Sequence, residues 1–330
     1  TPSRDAVAWN ALIAGYVEHG EGEEALNHFE QMQCEDIIPT LITFICGVKA
    51  CSSIKAIQAG QKIHCDIVKE GYEAEAFIGS TLVDMYAKCG LLVEAKEVFN
   101  EFQVRDVVSW TALISGYTEQ GLFEDALNCI RKMQSDGISP NAVTYICSLK
   151  ACASKGAIDK GLQLHADIVT EGLEVASCVA STLVAMYAKC GLIMEARELF
   201  NEIPHRDVVA WTAIIDGYSE QGLVDEAMSC IEQMILEGMS PDRVMFLCCV
   251  KACCKAGAVD KGRVIHTNVV KEGYEDDLFI GNVLIDMYGK SGFLLESQVL
   301  FDEIPTRDVV SWNALIAAYF HNGFPEEAEY

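Results

Sequence analysis

Apolar residues along the chain recur at the spacing of one helical face. Trp110, Leu113, Ile114 and Tyr117 fall at i, i+3, i+4 and i+7, which predicts an amphipathic helix of about three turns. Gly121 interrupts it where a left-handed C-terminal cap is expected. Leu122, Ala126, Leu127, Ile130 and Met133 then mark a second helix, which Gly137 and Pro140 stop. Apolar pairs such as Val107-Val108 are too short to be strands between helices this regular. The pattern predicts an all-α chain with two helices per segment.

The pattern is copied. Trp9, Trp110, Trp211 and Trp312, the only tryptophans, lie 101 residues apart, and the same register returns His64, His165 and His266 and Tyr86, Tyr187 and Tyr288. Each 101-residue unit divides into segments of 35, 35 and 31 residues: 6–40, 41–75 and 76–106; 107–141, 142–176 and 177–207; 208–242, 243–277 and 278–308. Residues 1–5 match the tail of a 31-residue segment, and 309–330 begin another of the first kind. Fixed-period self-similarity is the mark of a solenoid, so residues 1–330 are expected to form a single array and a piece of a longer one.

Composition changes this picture little. The chain is 51% hydrophobic but has no run of eighteen apolar residues, which gives no membrane span, and no signal or transit segment is visible. Its fifteen cysteines are odd in number, and many recur in register, as Cys46, Cys147 and Cys248 or Cys51, Cys152 and Cys253. They read as small core residues in a reducing compartment. Cys248, Cys249, Cys253 and Cys254 lack the CxxC spacing of zinc sites, so no metal and no cofactor is expected. The recurring histidines sit on an apolar helix face without a recurring acid or nucleophile, which favours packing over catalysis. The tryptophans likewise fit the core better than base stacking.

The strings VVSWTALISGYTEQG, TLVDMYAKCGLLVEAKEVF and KACASKGAIDKGLQLHADIV resemble pentatricopeptide repeats of the PLS subclass, whose P, L and S motifs have 35, 35 and 31 residues. The resemblance covers nine complete motifs and a truncated tenth. It implies a right-handed α-solenoid superhelix of helix-turn-helix repeats that binds single-stranded RNA at about one base per motif. In that family a motif's fifth and last residues read the base, and its second residue sandwiches neighbouring bases. Carried onto this chain, the P-motif readers are Asn10 with Thr40, Thr111 with Asn141 and Thr212 with Asp242. The S-motif readers are Ser80 with Asp106, Ser181 with Asp207 and Asn282 with Asp308, and Asn313 opens the truncated motif. The sandwiching residues are Val7, Phe77, Val108, Cys178, Val209, Phe279 and Val310. Lys88, Lys189 and Lys290 would face phosphate, while the L motifs carry Ile45, Ile146 and Leu247, which cannot hydrogen-bond a base.

By the family's pattern the implied target resembles 5′-YnGAnGGnU-3′. The same Asp, Asn and Thr residues also suit ordinary helix caps. Their variation inside a nearly fixed helical frame argues for reading. Against it stands the charge: 24 basic and 49 acidic residues give −25, the wrong sign for following a phosphate backbone, and Glu18, Glu119 and Glu220 occupy the P-motif slot corresponding to the S-motif lysines. Binding by this chain alone is therefore expected to be weak and salt-sensitive.

The resemblance implies helper proteins of the multiple organellar RNA editing factor kind, docking on L motifs. It also implies a role in addressing C-to-U editing in a mitochondrion or chloroplast, with an E/DYW deaminase further along the chain or in trans. That deaminase needs H-x-E with P-C-x-x-C. His19-Gly20-Glu21 matches the first half in a turn and no CxxC follows, so this stretch is read as non-enzymatic. The competing expectation is an acidic protein-binding scaffold that reads no RNA.

Overall fold

The computed structural model describes residues 5–72, 75–101, 105–174 and 176–326. The tail expected at 1–5 is thus described only at Asp5, and the last four residues of the truncated segment lie outside the described residues. Among the described residues there are nineteen helices and no strand. They fall in two compact units, 1–160 and 161–330.

In the first unit the first helices of successive segments are α1 (Ala6–Glu18), α3 (Leu41–Ile54), α5 (Ala76–Lys88), α7 (Val107–Glu119) and α9 (Ala142–Lys155). Their second helices are α2 (Gly22–Cys34), α4 (Ile57–Lys69), α6 (Leu92–Glu101) and α8 (Phe123–Ser135), and α10 (Ile158–Thr170) crosses the division. In the second unit the first helices are α11 (Ser177–Lys189), α13 (Val208–Glu220), α15 (Arg243–Ala256), α17 (Leu278–Lys290) and α19 (Val309–His321). The second helices there are α12 (Ile193–Glu202), α14 (Val224–Leu236), α16 (Val259–Lys271) and α18 (Leu294–Glu303). Within each unit every first helix packs on the next first helix, and every second helix wedges between its own partner and the first helix that follows. Apolar surface is buried only between neighbours, as in a solenoid.

The predicted stripe is the core. Trp110, Leu113, Ile114 and Tyr117 are all buried, and Trp110 meets Phe99 edge-on at 4.6 Å between ring centroids. Trp211 repeats this on Phe200 at 4.7 Å. Gly121 ends the first helix at φ +72°, the left-handed conformation its position predicted. His64, His165 and His266 bond the hydroxyls of Tyr86, Tyr187 and Tyr288 at 2.9, 2.8 and 3.2 Å, and burial pushes all three imidazoles toward the neutral form. The in-register cysteines are buried as thiols rather than disulfides, and burial pushes Cys51 and Cys248 up to about 12. Among the described residues no three His, Cys, Asp or Glu side chains converge to hold a metal.

One contact shows how tightly the third-kind segment meets the first-kind segment after it. A methyl added at Gly116 would come to 2.8 Å from Ala87 Cβ and 2.9 Å from Leu92 Cδ2, and one at Gly217 to 2.8 Å from Ala188 Cβ and 2.7 Å from Ile193 Cδ1. The leucine and isoleucine ends can swing aside, whereas the alanine Cβ is fixed to its helix. At the next repetition the pair is inverted: Gly289 takes the alanine's place and Ala318 the glycine's. The interface admits one methyl, on either side. Gly217→Ala should therefore cost about 1–3 kcal/mol through overpacking, although alanine is the better helix former by up to about 1 kcal/mol. Adding Ala188→Gly should restore most of the loss in urea unfolding followed by circular dichroism. Additive losses in the double variant would refute the shared clearance.

Candidate nucleic-acid interface

The second residue of each segment lies near the start of a first helix and points away from the buried stripe. Val7, Phe77, Val108, Val209, Phe279 and Val310 are each more than half exposed, and Cys178 is also exposed. The second-kind segments, which the sequence reading left out, supply Ile42, Val143 and Val244 at the same position, exposed as well. Scattered exposed apolar residues are ordinary on a protein surface. One rung at the same helical position of every segment is a pattern that burial does not explain. The signal was available in the 101-residue register, which places Ile42, Val143 and Val244 in line.

Beside this ladder the fifth and last residues meet, although they are 26 or 30 positions apart in sequence. Asn10 Nδ2 donates to Thr40 Oγ1 at 2.9 Å. The Ser80 hydroxyl lies 3.1 Å from both carboxylate oxygens of Asp106 and from Ala76 O of its own helix. That of Ser181 lies 2.8 Å from Asp207 Oδ1 and 2.9 Å from Ser177 O, so each single proton is shared between the aspartate and the helix. Asn282 Nδ2 donates to Asp308 Oδ1 at 3.2 Å. Thr111 and Asn141 are joined through Thr144, whose hydroxyl lies 2.7 Å from Thr111 Oγ1 and donates to Asn141 Oδ1 at 2.9 Å. The exception is Thr212, which donates to its own helix at Val208 O, 2.7 Å away, and makes no bond to Asp242.

The last residues are also caps. Asp106, Asp207 and Asp308 accept the backbone N–H of Ser109, Ala210 and Ser311, while Thr40, Asn141 and Asp242 do the same for the second-kind segments. Capping and pairing are compatible, because a carboxylate has four lone-pair directions. Hydrogen bonds from the Ser311 backbone, the Ser311 hydroxyl and the Asn282 amide hold the Asp308 carboxyl below its usual range. The fifth residues Ser80, Ser181 and Asn282 are themselves buried, which leaves the aspartates as the outermost polar groups of those slots. Buried Asn282 keeps its Oδ1 without a hydrogen-bond partner. Asn10, Thr111 and Thr212 remain half-buried, and Asn313 is exposed.

Comparison with known proteins identifies the repeat. The profile described as "PPR repeat family" matches residues 4–53, 105–154 and 206–255, and that described as "PPR repeat" matches 80–107, 179–208, 282–309 and 310–330. The chain belongs to the pentatricopeptide repeat family. A chloroplastic pentatricopeptide repeat-containing protein of Arabidopsis thaliana is 36% identical over 98% of this chain and 53% of its own length. The chloroplastic protein DOT4 of the same plant is 39% identical over 98% of this chain and 37% of its own. A mitochondrial relative, also from Arabidopsis thaliana, is 33% identical over 97% and 47%. The chain thus spans about half or less of the length of these relatives. Among solved structures, the pentatricopeptide repeat protein PPR10 in complex with an 18-nucleotide psaJ RNA element superposes with a TM-score of 0.75 at 18% identity, covering 98% of this chain and 54% of that one. PPR10 from maize gives 0.57 at 17% identity over 99% and 58%. At such identity these two confirm the repeat fold.

In this pentatricopeptide array the lysines expected to face phosphate are not equivalent. Lys88 is paired with Asp84 at 2.9 Å and Lys290 with Asp286 at 2.7 Å, each one turn back on its own helix. Lys189 has Ala185 at that place and makes no ion pair with a described residue. Ile45, Ile146 and Leu247 are half-buried, so part of each remains available at the surface. His19, of the isolated H-x-E string, bonds the Gly15 carbonyl in the turn after α1 at 2.8 Å.

Proposed function

We propose that this array reads single-stranded RNA, at about one base per motif, as the addressing part of an organellar C-to-U editing factor. The observation that carries the proposal is the bonding of fifth to last residues beside an exposed apolar rung. A base sliding between two rungs loses water from both faces, and its edge then meets polar groups whose positions the caps have fixed. The outermost carboxylates of the S-motif slots Ser80–Asp106 and Ser181–Asp207 accept hydrogen bonds, which suits the N1–H and N2–H₂ donors of guanine. In the Asn282–Asp308 slot the outermost acceptor is the Asp308 carboxylate, fixed by the Asn282 amide, and the family's pattern assigns that pair to uracil, whose N3–H is a single donor. Thr111 with Asn141 offers mixed donors and acceptors, in keeping with adenine. Thr212 with Asp242 completes a target resembling YnGAnGGnU.

The reading is supported by family membership, by the RNA carried in the PPR10 complex and by the chloroplastic and mitochondrial names of the relatives. In this proposal catalysis is left to a deaminase elsewhere in the chain or in trans. Helper proteins of the editing-factor kind dock on the L motifs at Ile45, Ile146 and Leu247.

The test is a low-salt binding assay with UAGAAGGAU RNA and a version whose reading positions are scrambled, with and without helper protein. Tighter binding of the designed RNA, on the order of tenfold, is expected. Equal or absent binding under both conditions would exclude the addressing role and favour a protein-binding scaffold.

A further inference from the structure

We propose that the L motifs, whose fifth residues cannot pair with a base, grip the RNA backbone through Lys49, Lys150 and Lys251. This rests on the RNA reading above and adds to it a division of labour: P and S motifs read, L motifs hold.

Three observations place these lysines on the reading face. Each is the ninth residue of its motif, seven positions after the exposed rung (Ile42, Val143 or Val244) and four after the aliphatic slot (Ile45, Ile146 or Leu247), which is one stripe of the helix. Lys49 Nζ lies 5.9 Å from the centroid of the Phe77 ring, itself a rung. Lys251 lines a groove of about 490 Å³ together with Asn282, Val310 and Asn313, two reading residues and a rung.

Their charge is also available. All three side chains are exposed, and none makes an ion pair with a described residue. By contrast, Asp84 and Asp286 already hold Lys88 and Lys290. The carboxylates facing the L-motif lysines come from the preceding P motif. Glu18 and Lys49 act with opposite sign on the Cys46 thiol, as Glu119 and Lys150 do on Cys147. Glu220 is drawn to Lys255, 2.6 Å away, and hydrogen bonding from that lysine holds its carboxyl below the usual range. Glu18 and Glu119 thus lie near Lys49 and Lys150 without the geometry of an ion pair, while Lys255 draws Glu220 away from Lys251. A phosphate passing on the exposed side of these lysines meets a compact, mobile cation with three donors, well suited to a passing backbone. The acidic net charge then sets a low background affinity that these contacts must overcome.

The test is the salt dependence of binding to UAGAAGGAU RNA by the chain and its Lys49→Gln, Lys150→Gln, Lys251→Gln triple variant. Three lost phosphate contacts should lower the slope of log K against log salt by about 2, at about 0.7 per contact on a single strand. Discrimination against scrambled RNA should persist. Lys150→Gln alone should lower the slope by about 0.7, a readout that survives if the triple variant folds poorly. The Lys88→Gln, Lys290→Gln pair should change the slope by less than one contact. An unchanged slope in the L-motif variants, with RNA still bound, overturns the proposal, and so does an equal or larger fall in the S-motif pair. Failure of the unmodified chain to prefer the designed RNA is a different result and rejects the reading on which the proposal rests.

Discussion

Trp211→Ala will lower the stability of its repeat by about 3–5 kcal/mol, and Trp312→Ala by about half as much or less. Both residues open the same helical stripe and both meet a phenylalanine edge-on at 4.7 Å, on Phe200 and Phe301. What differs is the other side. Trp211 is fully buried between α12, α13 and α14, so truncation leaves a cavity in a well-packed interior. Trp312 is 51% exposed, because no described helix lies over α19 as α14 lies over α13. Half of its apolar surface is already in water and contributes nothing to folding. Urea unfolding with hydrogen exchange resolved on α13, α14 and α19 would separate the two, since repeat arrays open locally. Equal losses at the two sites would contradict this account of the core.

The double substitution Thr111→Asn, Asn141→Asp will move the base preferred at that motif from adenine to uracil, with discrimination reversing by about tenfold or more. The fold supplies a precedent for the new pair. Asn282 donates to Asp308 at 3.2 Å in the same two positions of an S motif, and Asp308 still caps α19. An aspartate at the start of an L-motif helix is equally tolerated, because Asp242 caps α15 through the Met245 N–H at 3.0 Å. Stability should therefore change little, and the Thr144 bridge should give way to a direct bond. Binding competitions with RNAs differing only at that base provide the measurement. Retained affinity with an unmoved preference would show that Asn141 is a helix cap, and Thr111 a bonding partner of that cap through Thr144, and nothing more.

Much of the architecture was legible along the chain. The spacing of Trp110, Leu113, Ile114 and Tyr117 specified a helix and its buried face, because a 3.6-residue period aligns those side chains whatever lies around them. Gly121 marked the helix end because few other residues occupy φ near +72° without strain. The 101-residue register marked the fifth and last residues as variable points in a constant frame. Other features were not legible. Nothing local says that Ser80, Ser181 and Asn282 are buried beneath their aspartates, or that Thr212 turns to its own helix. Those outcomes depend on where the next segment's helix start comes to lie.

The sequence by itself determined the two-helix segment, the three segment lengths and the positions at which chemistry varies. Each of these follows from periodicity and from backbone preferences acting within a few residues. The tertiary structure alone decided which of those positions meet. It joined residues some 26 to 30 positions apart into hydrogen-bonded pairs, and it left Lys49, Lys150 and Lys251 exposed without an ion pair to a described residue. It also brought into contact the two helix positions between which the S-to-P interface leaves room for a single methyl. Hydrogen bonds, ion pairs and close packing are satisfied across neighbours, and a neighbour's position is set by the stacking of whole helices rather than by the residues on either side in the chain.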